Sequence, residues 1–361
     1  MATIVEAMKV ISALSKDDFD KLMVDLLARV SPSKSLESFT EENRFCNGRV
    51  CPHCGSVSVV RNGHRADGKQ KYRCKDCKSV FVINSVSITS GTHKDFSVWE
   101  KYIDCMMNGF SLRKTASICD IHRNTAFLWR HKVLDALQNM HKSVVLDGIV
   151  EADETFFTIS YKGNHKHSKT FAMPRPAHKR GSAHEYEEID TDGQKAFVKK
   201  KNKRGLSDEK VCVPCAVNRN GQSVAMVGKL GKVSYACINA AFENRIKEKS
   251  TLCTDNEKSY SKFSKEHNLE LYQLQSDKSK KGIYNIQRIN NYHKRLKDFL
   301  DKFYGVSTKY LNNYLVWNNL VIFAKETYEE KAKIFLTYVL TTIKQEKCRE
   351  IANRPALPVL V

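Results

Sequence analysis

No stretch of this 361-residue chain approaches 18 or so consecutive apolar residues, the least that reads as a membrane-spanning helix. The opening MATIVEAMKVISALSKDDFD lacks a basic n-region ahead of an apolar core, so it is not a secretory signal, and a cytoplasmic protein is expected. No repeat of solenoid period occurs. The twelve cysteines do not form a disulfide framework: four stand in two tight pairs and most others are scattered at apolar positions. That pattern fits metal ligation plus buried thiols in a reducing compartment. The chain is also short of acid. Forty Asp and Glu face sixty Lys and Arg, a net charge of +20. Such an excess suits a polyanion, because each phosphate neutralised releases condensed counterions. A merely basic soluble protein, such as one bound to the ribosome, is the plainer alternative.

Hydrophobic (41%) and charged (28%) contents are ordinary for a globular protein, and the length allows two or three domains. Residues 1–45 read as an amphipathic helix from about 11 to 30, N-capped by Ser15, followed by a polar linker, SPSKSLESFTEEN. Residues 46–90 hold a cysteine-rich module and 91–142 read as helices. Residues 143–326 alternate strands and helices, an α/β domain. A polar, basic insertion at 160–209 interrupts it, carrying His165, His167, His178 and a lysine run from Lys199 to Lys203. It reads either as a DNA-touching subdomain or as a solvated flap. Residues 327–361 read as a helix and a tail.

Cys51 and Cys54 in CPHCG, and Cys74 and Cys77 in CKDC, make two C-x2-C knuckles with nineteen residues between them. Two-residue spacing lets both thiolates of a knuckle reach one tetrahedral ion, and two knuckles close a four-thiolate site for one structural Zn²⁺. His53 and His64 are bystanders in this reading. The intervening residues predict two strands around an Asn62-Gly63 turn, a zinc ribbon whose surface bears Arg61, Arg65, Lys69, Lys71, Arg73, Lys75 and Lys78. Cys212 and Cys215 share the spacing but lie in an apolar strand, where residues three apart point to opposite faces, so they read as core thiols.

SLRKTASICD, Ile121 and a helix from about His122 predict a helix-turn-helix, with Ala116 permitting close approach. The second helix would aim Arg123, Asn124, Thr125, Arg130, His131 and Lys132 at a major groove. An ordinary helical hairpin is the alternative.

Three segments carry candidate chemistry. In GIVEADETFF, period-2 alternation puts Glu151, Asp153 and Thr155 on one strand face. In STLCTDNEKSY, a short strand ends at Asp255 and a helix follows. In IYNIQRINNYHKRLKDFLDKF, Asn290, His293 and Lys297 fall at i, i+3 and i+7 of an amphipathic helix. Each has a bland alternative: a surface strand acid, a helix cap, a buried amide. Glu151, Glu154 and Glu257 are the substitute acids.

With these residues in hand, the chain resembles bacterial insertion-sequence transposases that pair an N-terminal zinc ribbon with an RNase H-like domain of the DDE type. The ADET around Asp153, the TD at Asp255, and RINNYHKRLK followed by GVSTKYLNNYLVWNN carry the resemblance, over about residues 46–325. It implies an α/β catalytic domain with a mixed sheet flanked by helices, preceded by the small zinc ribbon and the helix-turn-helix. It implies Asp153 and Asp255 as the first two acids, Asn290 in the third position, often Glu in related enzymes, and Lys297 as the basic residue. Asp255 and Asn290 lie 290 − 255 = 35 positions apart, and Lys297 follows Asn290 by seven.

Phosphodiester cleavage and joining need an activated nucleophile, neutralised charge at phosphorus and a stabilised leaving oxygen. Two Mg²⁺ (or Mn²⁺) ions about 3.5–4 Å apart supply all three, and oxygen ligands hold them. The expectation is that Asp153, Asp255 and Asn290 bind these ions, that Lys297 holds a phosphate, and that His293 contacts DNA or assists proton transfer. The expected partners are double-stranded DNA, as terminal inverted repeats and target, and further copies of the chain in a homodimer or larger assembly on the bacterial nucleoid. A neutral Asn290 leaves room for a regulator that kept the fold and lost catalysis. A nuclease that cuts without joining is the other alternative.

Overall fold

The computed structural model describes residues 32–163, 185–189, 195–199, 210–274, 280–322, 324, 328–344 and 347–356, together with Ser15 and Asp18. The Asp18 N–H donates to Ser15 Oγ at 3.2 Å, the bond expected of an N-cap; the rest of the predicted N-terminal helix lies outside the described residues. The chain divides into two compact units, residues 1–140 with 326–351 and residues 141–325 with 352–361. No helix among the described residues is long and apolar enough to cross a membrane.

The first unit opens with a helix where the sequence predicted a linker: α1, Pro32–Arg44. Its polar composition hides the reason. The Arg44 guanidinium donates to the Ile83 carbonyl and, at 2.7 Å, to the Ser85 carbonyl, while the Tyr72 hydroxyl donates to Glu41. Tertiary contacts therefore outweigh intrinsic preference. The ribbon that follows has β1 (Val59–His64), β2 (Gln70–Cys74) and β3 (Val80–Val82) in antiparallel order. The predicted turn is misplaced. Asn62-Gly63 is an irregularity inside β1, between Arg61 and His64. The chain reverses at Asp67-Gly68, where Gly68 has φ +81° and the Arg65 N–H donates to the Lys69 carbonyl. Both dipeptides carry the same turn signal, and only strand pairing selects between them.

Helices α2 (Phe96–Met107), α3 (Leu112–Ile118) and α4 (Arg123–Lys142) follow. Trp99 of α2 stacks on Trp129 of α4 with ring centroids 3.7 Å apart, and Tyr102 donates to the Ala126 carbonyl. Ser111 caps α3 by accepting from the Lys114 N–H, and Ala116 is buried as expected. The predicted groove-facing set is only partly available. His122, Arg123 and Asn124 are exposed, but Arg130 and His131 are buried, and Arg130 Nη2 donates to the Phe110 carbonyl at 2.7 Å.

The second unit is built on a five-stranded mixed sheet. Its long central strand, β4 (Ile149–Thr158), follows α4. Of the basic insertion, residues 160–163 and a separate antiparallel pair, β5 (Glu185–Ile189) and β6 (Lys195–Lys199), are described; the histidines predicted there lie outside the described residues. Strands β7 (Lys210–Asn218) and β8 (Ser223–Ala225) add to β4 in antiparallel fashion, while β9 (Thr251–Thr254) pairs parallel with β4 and β10 (Glu270–Gln273) parallel with β9. The order is β10-β9-β4-β7-β8. Helices α5 (Tyr235–Phe242) and α6 (Lys258–Glu266) cover one face, where Val150, Ala152, Cys212, Leu252, Tyr260 and Phe263 share one core. A two-residue hairpin, β11 (Lys280–Lys281) with β12 (Tyr284–Asn285), leads into α7 (Gln287–Asp301). Helix α7, α8 (Leu311–Trp317) and a π-helical turn (Asn318–Ile322) belong to the other face. Two further helices, α9 (Tyr328–Thr341) and α10 (Cys348–Ala352), lie in the tail.

Candidate active site and metal centre

Glu151 and Cys253 are the last paired residues where β4 and β9 run parallel. Two positions further along the chain stand Asp153, still on β4, and Asp255, just past the end of β9. Alternation brings both carboxylates to the same side of that junction, close enough for the Asp255 charge to raise Asp153. Each carboxylate spends one oxygen on backbone: Asp153 Oδ1 accepts the Glu154 N–H at 2.8 Å, and Asp255 Oδ1 accepts the Glu257 N–H at 3.2 Å. Burial first, then Asp255, pushes the Asp153 carboxyl up to about 6, against the opposing pull of the Glu154 N–H and Lys297.

Helix α7 supplies the other side. His293 Nδ1 lies 3.8 Å from Asp153 Oδ2. Burial holds the imidazole down at about 4, helped by the Lys297 charge and opposed by a hydrogen bond to the Asp153 backbone. His293 is buried, a position suited to propping the Asp153 strand rather than to meeting DNA directly. Asn290, one turn earlier, and Lys297, one turn later, are exposed. Ile289, Tyr292, Leu296, Phe299 and Leu300 of this helix are buried.

The substitute acids are engaged elsewhere. Glu154 points to the opposite face, where burial above all pushes it up to about 8. Glu257 pairs with Lys232 at 3.1 Å. Glu151 is fully buried and accepts backbone N–H bonds from α7. Its role as a helix cap escaped the sequence, because nothing local links positions 151 and 288. What remains at the junction is a pair of carboxylates, beside a helix that bears Asn290 and Lys297. A buried carboxylate raised in part by a second carboxylate is the condition that a hard divalent cation relieves, so Asp153 and Asp255 fit such an ion.

In the first unit, Cys51, Cys54, Cys74 and Cys77 bring their sulfurs within 4.8 Å of one another. Cys51 Sγ lies 3.7 Å from Cys77 Sγ, and Cys54 Sγ 3.7 Å from Cys74 Sγ. Tetrahedral ligands at a Zn–S distance of about 2.3 Å stand about 3.8 Å apart. The four thiols thus match structural zinc. Gly55 takes φ +75° just after the first knuckle, a conformation glycine adopts at no steric cost. Hydrogen bonds from the Ser79 side chain and backbone pull the Cys77 thiol down to about 6, toward the thiolate a metal needs. Cys212 and Cys215 are both fully buried in β7, core thiols as read from the sequence.

Residues 34–80 match the family described as transposase zinc-ribbon domain, and residues 185–316 the family described as ISXO2-like transposase domain. Both matched families are described as domains of transposases. The second match contains Asp255, Asn290, His293 and Lys297; Asp153 precedes it. Among solved structures, this chain is similar to a pre-cleavage Mos1 transpososome (11% identity, 69% of this chain and 80% of that one, TM-score 0.20). It is similar also to a Mos1 mariner paired-end complex with Mn (10%, 66% and 77%, TM-score 0.21) and to a Mos1 paired-end complex with the left transposon end (12%, 66% and 79%, TM-score 0.22). Superpositions this weak bear on neither fold nor function.

Proposed function

We propose that this chain is a DNA transposase that cuts the ends of its element and joins the freed 3′-hydroxyl to target DNA. One observation carries the reading: Asp153 and Asp255 meet where the parallel ladder of β4 and β9 ends, beside a helix bearing Asn290, His293 and Lys297. The sheet supports an RNase H-like domain, since β4, β7 and β8 run antiparallel while β9 and β10 add in parallel on the far side of β4. In this reading Asp153, Asp255 and the Asn290 amide oxygen hold two divalent cations. Such ions supply a nucleophile at neutral pH, Lewis-acid neutralisation of the phosphoryl charge and a stabilised leaving oxygen. Lys297, exposed one turn past His293, holds a phosphate of the transposon end. His293, neutral at pH 7, keeps the Asp153 backbone in place. The ribbon and the α3–α4 pair recognise terminal repeats through exposed cations, Arg123 among them, and at least two copies of the chain synapse the two ends.

The neutral Asn290 favours one second reading, a regulator that binds the same ends without cutting them. A joining assay with a pre-cut end and Mg²⁺, beside a cleavage assay on an uncut end, separates the two. Wild type should give both products. Asp153→Ala and Asp255→Ala should each lose at least about 10³-fold in rate while still binding ends. End binding without any product would establish the regulator.

A further inference from the structure

Helix α7 is gripped at both ends by side chains of opposite charge from one continuous stretch of chain. At its start, Glu151 Oε2 accepts the Arg288 N–H at 2.7 Å and the Ile289 N–H at 3.2 Å. These amides lack partners within the helix, and the local N-cap, Ile286, makes no side-chain cap bond. The cap therefore comes from the sheet, and its negative charge opposes the positive end of the helix dipole. Arg219 Nη2 stands 3.1 Å from Glu151 Oε1 and donates to the Ile283 carbonyl at 3.0 Å. Arg288 Nη1 returns a bond to the Arg219 carbonyl at 3.2 Å. The entry into α7 is thus fastened to β4 and to the end of β7.

The other end is held by Lys162. Its ammonium donates to three carbonyls just past the last turn: Phe303 at 3.1 Å, Tyr304 at 3.0 Å and Gly305 at 2.9 Å. A cation there complements the negative end of the dipole, and three donors on one ammonium match three converging acceptors. Ser160 anchors the same corner. Its carbonyl accepts the Thr308 N–H at 2.9 Å, and its own N–H donates to Thr308 Oγ1 at 2.8 Å. Asp153 lies on β4 between the two grips.

We propose that Glu151 and Lys162 are positioning residues, an opposite-charge clamp that holds α7 against β4 and so keeps Asn290, His293 and Lys297 stationed beside Asp153. The effect on chemistry rests on the function proposed above; neither residue need touch DNA or metal. A helix of this length spans about 22 Å, so release at one end lets it pivot. A displacement of about 1 Å at reacting groups costs about 10²-fold in rate.

The test uses the full chain and two readouts. Hydrogen exchange follows the amides of residues 286–305, and joining of a pre-cut end in Mg²⁺ follows rate. Glu151→Ala should speed exchange at Arg288 and Ile289 and slow joining by about 10²-fold, with end binding unchanged. Glu151→Gln, whose amide oxygen still accepts, should lie between it and wild type. Lys162→Met should loosen residues 303–305 and slow joining about tenfold, and Lys162→Arg should recover part of that loss. Unchanged exchange at Arg288 and Ile289 in both Glu151 variants overturns the clamp. Faster exchange with an unchanged joining rate overturns its positioning role. If wild type joins nothing, the proposed function fails on its own, and exchange still decides the clamp. Should Glu151→Ala fail to fold, Glu151→Gln and Lys162→Met decide.

Discussion

His293 Nδ1 lies 3.8 Å from Asp153 Oδ2, yet the two do not form a charged pair at neutral pH, because burial keeps the imidazole near 4 and lifts the carboxyl to about 6. The folded chain without a cation therefore binds the Asp153 proton more tightly than the unfolded chain does. Its contribution to stability is present in acid and is lost as pH rises through about 6. Asp153→Asn keeps the oxygen that accepts the Glu154 N–H and removes the charge. It should stabilise the cation-free protein at pH 8 by up to about 3 kcal/mol, shrinking at pH 5, in urea titrations. Mg²⁺ should raise the wild-type midpoint and leave that of the variant alone. A variant less stable than wild type at pH 8 would contradict the account.

A second prediction concerns the amide at Asn319. Its Oδ1 accepts from the Tyr292 hydroxyl at 2.5 Å and from Ser223 Oγ at 3.2 Å, and its Nδ2 meets His141 Nε2 at 2.8 Å. Asn319→Leu strips a partner from three buried groups, each worth about 1–3 kcal/mol, so a loss of at least about 3 kcal/mol is expected in denaturant titration. His141 is held down at about 3, by burial first and then by Arg245. A depressed histidine contributes stability that is present above its ordinary value and disappears as pH falls toward 3. Acid unfolding of the sheet unit should accordingly set in below about pH 6 and be less steep in His141→Gln.

Gly228 offers a packing test. A Cβ at this position would stand 2.1 Å from Cys237 Sγ and 3.2 Å from Pro214 Cδ. Cys237 is fully buried and hydrogen-bonded to Cys212, so the sulfur has nowhere to go. Gly228→Ala should cost about 1–3 kcal/mol. Adding Cys237→Ala should recover most of that, which a double-mutant cycle would register as strong coupling. Additive losses would mean the clash is absorbed elsewhere.

Zinc gives the fourth. The protein as purified should hold one zinc per chain, and a strong chelator or Cys74→Ser should remove it. Hydrogen exchange over β1–β3 should then rise to unfolded levels while β4, β7 and β9 stay protected. Retained protection in the ribbon after complete zinc loss would refute a metal-dependent fold.

What the sequence made legible was local. Knuckle spacing located the four sulfurs, and apolar periodicity found α7 and the buried β7. Period-2 alternation placed Glu151 with Asp153 on one face. What stayed hidden depended on partners distant in the chain. α1 is polar and reads as a linker until Ile83 and Ser85 supply acceptors for Arg44. Asn62-Gly63 and Asp67-Gly68 are equal candidates until β2 pairs with β1. Arg130 and His131 look like groove contacts on a basic helix, and only the packing of α2 and α3 against α4 turns them inward. Glu151 resembled a spare catalytic acid, since its bonds to Arg288 and Ile289 cross 137 and 138 residues of chain.

The ribbon's small core consists of Cys51, Tyr72, Cys74 and Phe81. Half of that apolar cluster is therefore also half of the ligand set. Condensation of the module and capture of its ion should therefore be a single event. Newly made chains would then acquire this domain at a pace set by the supply of that metal.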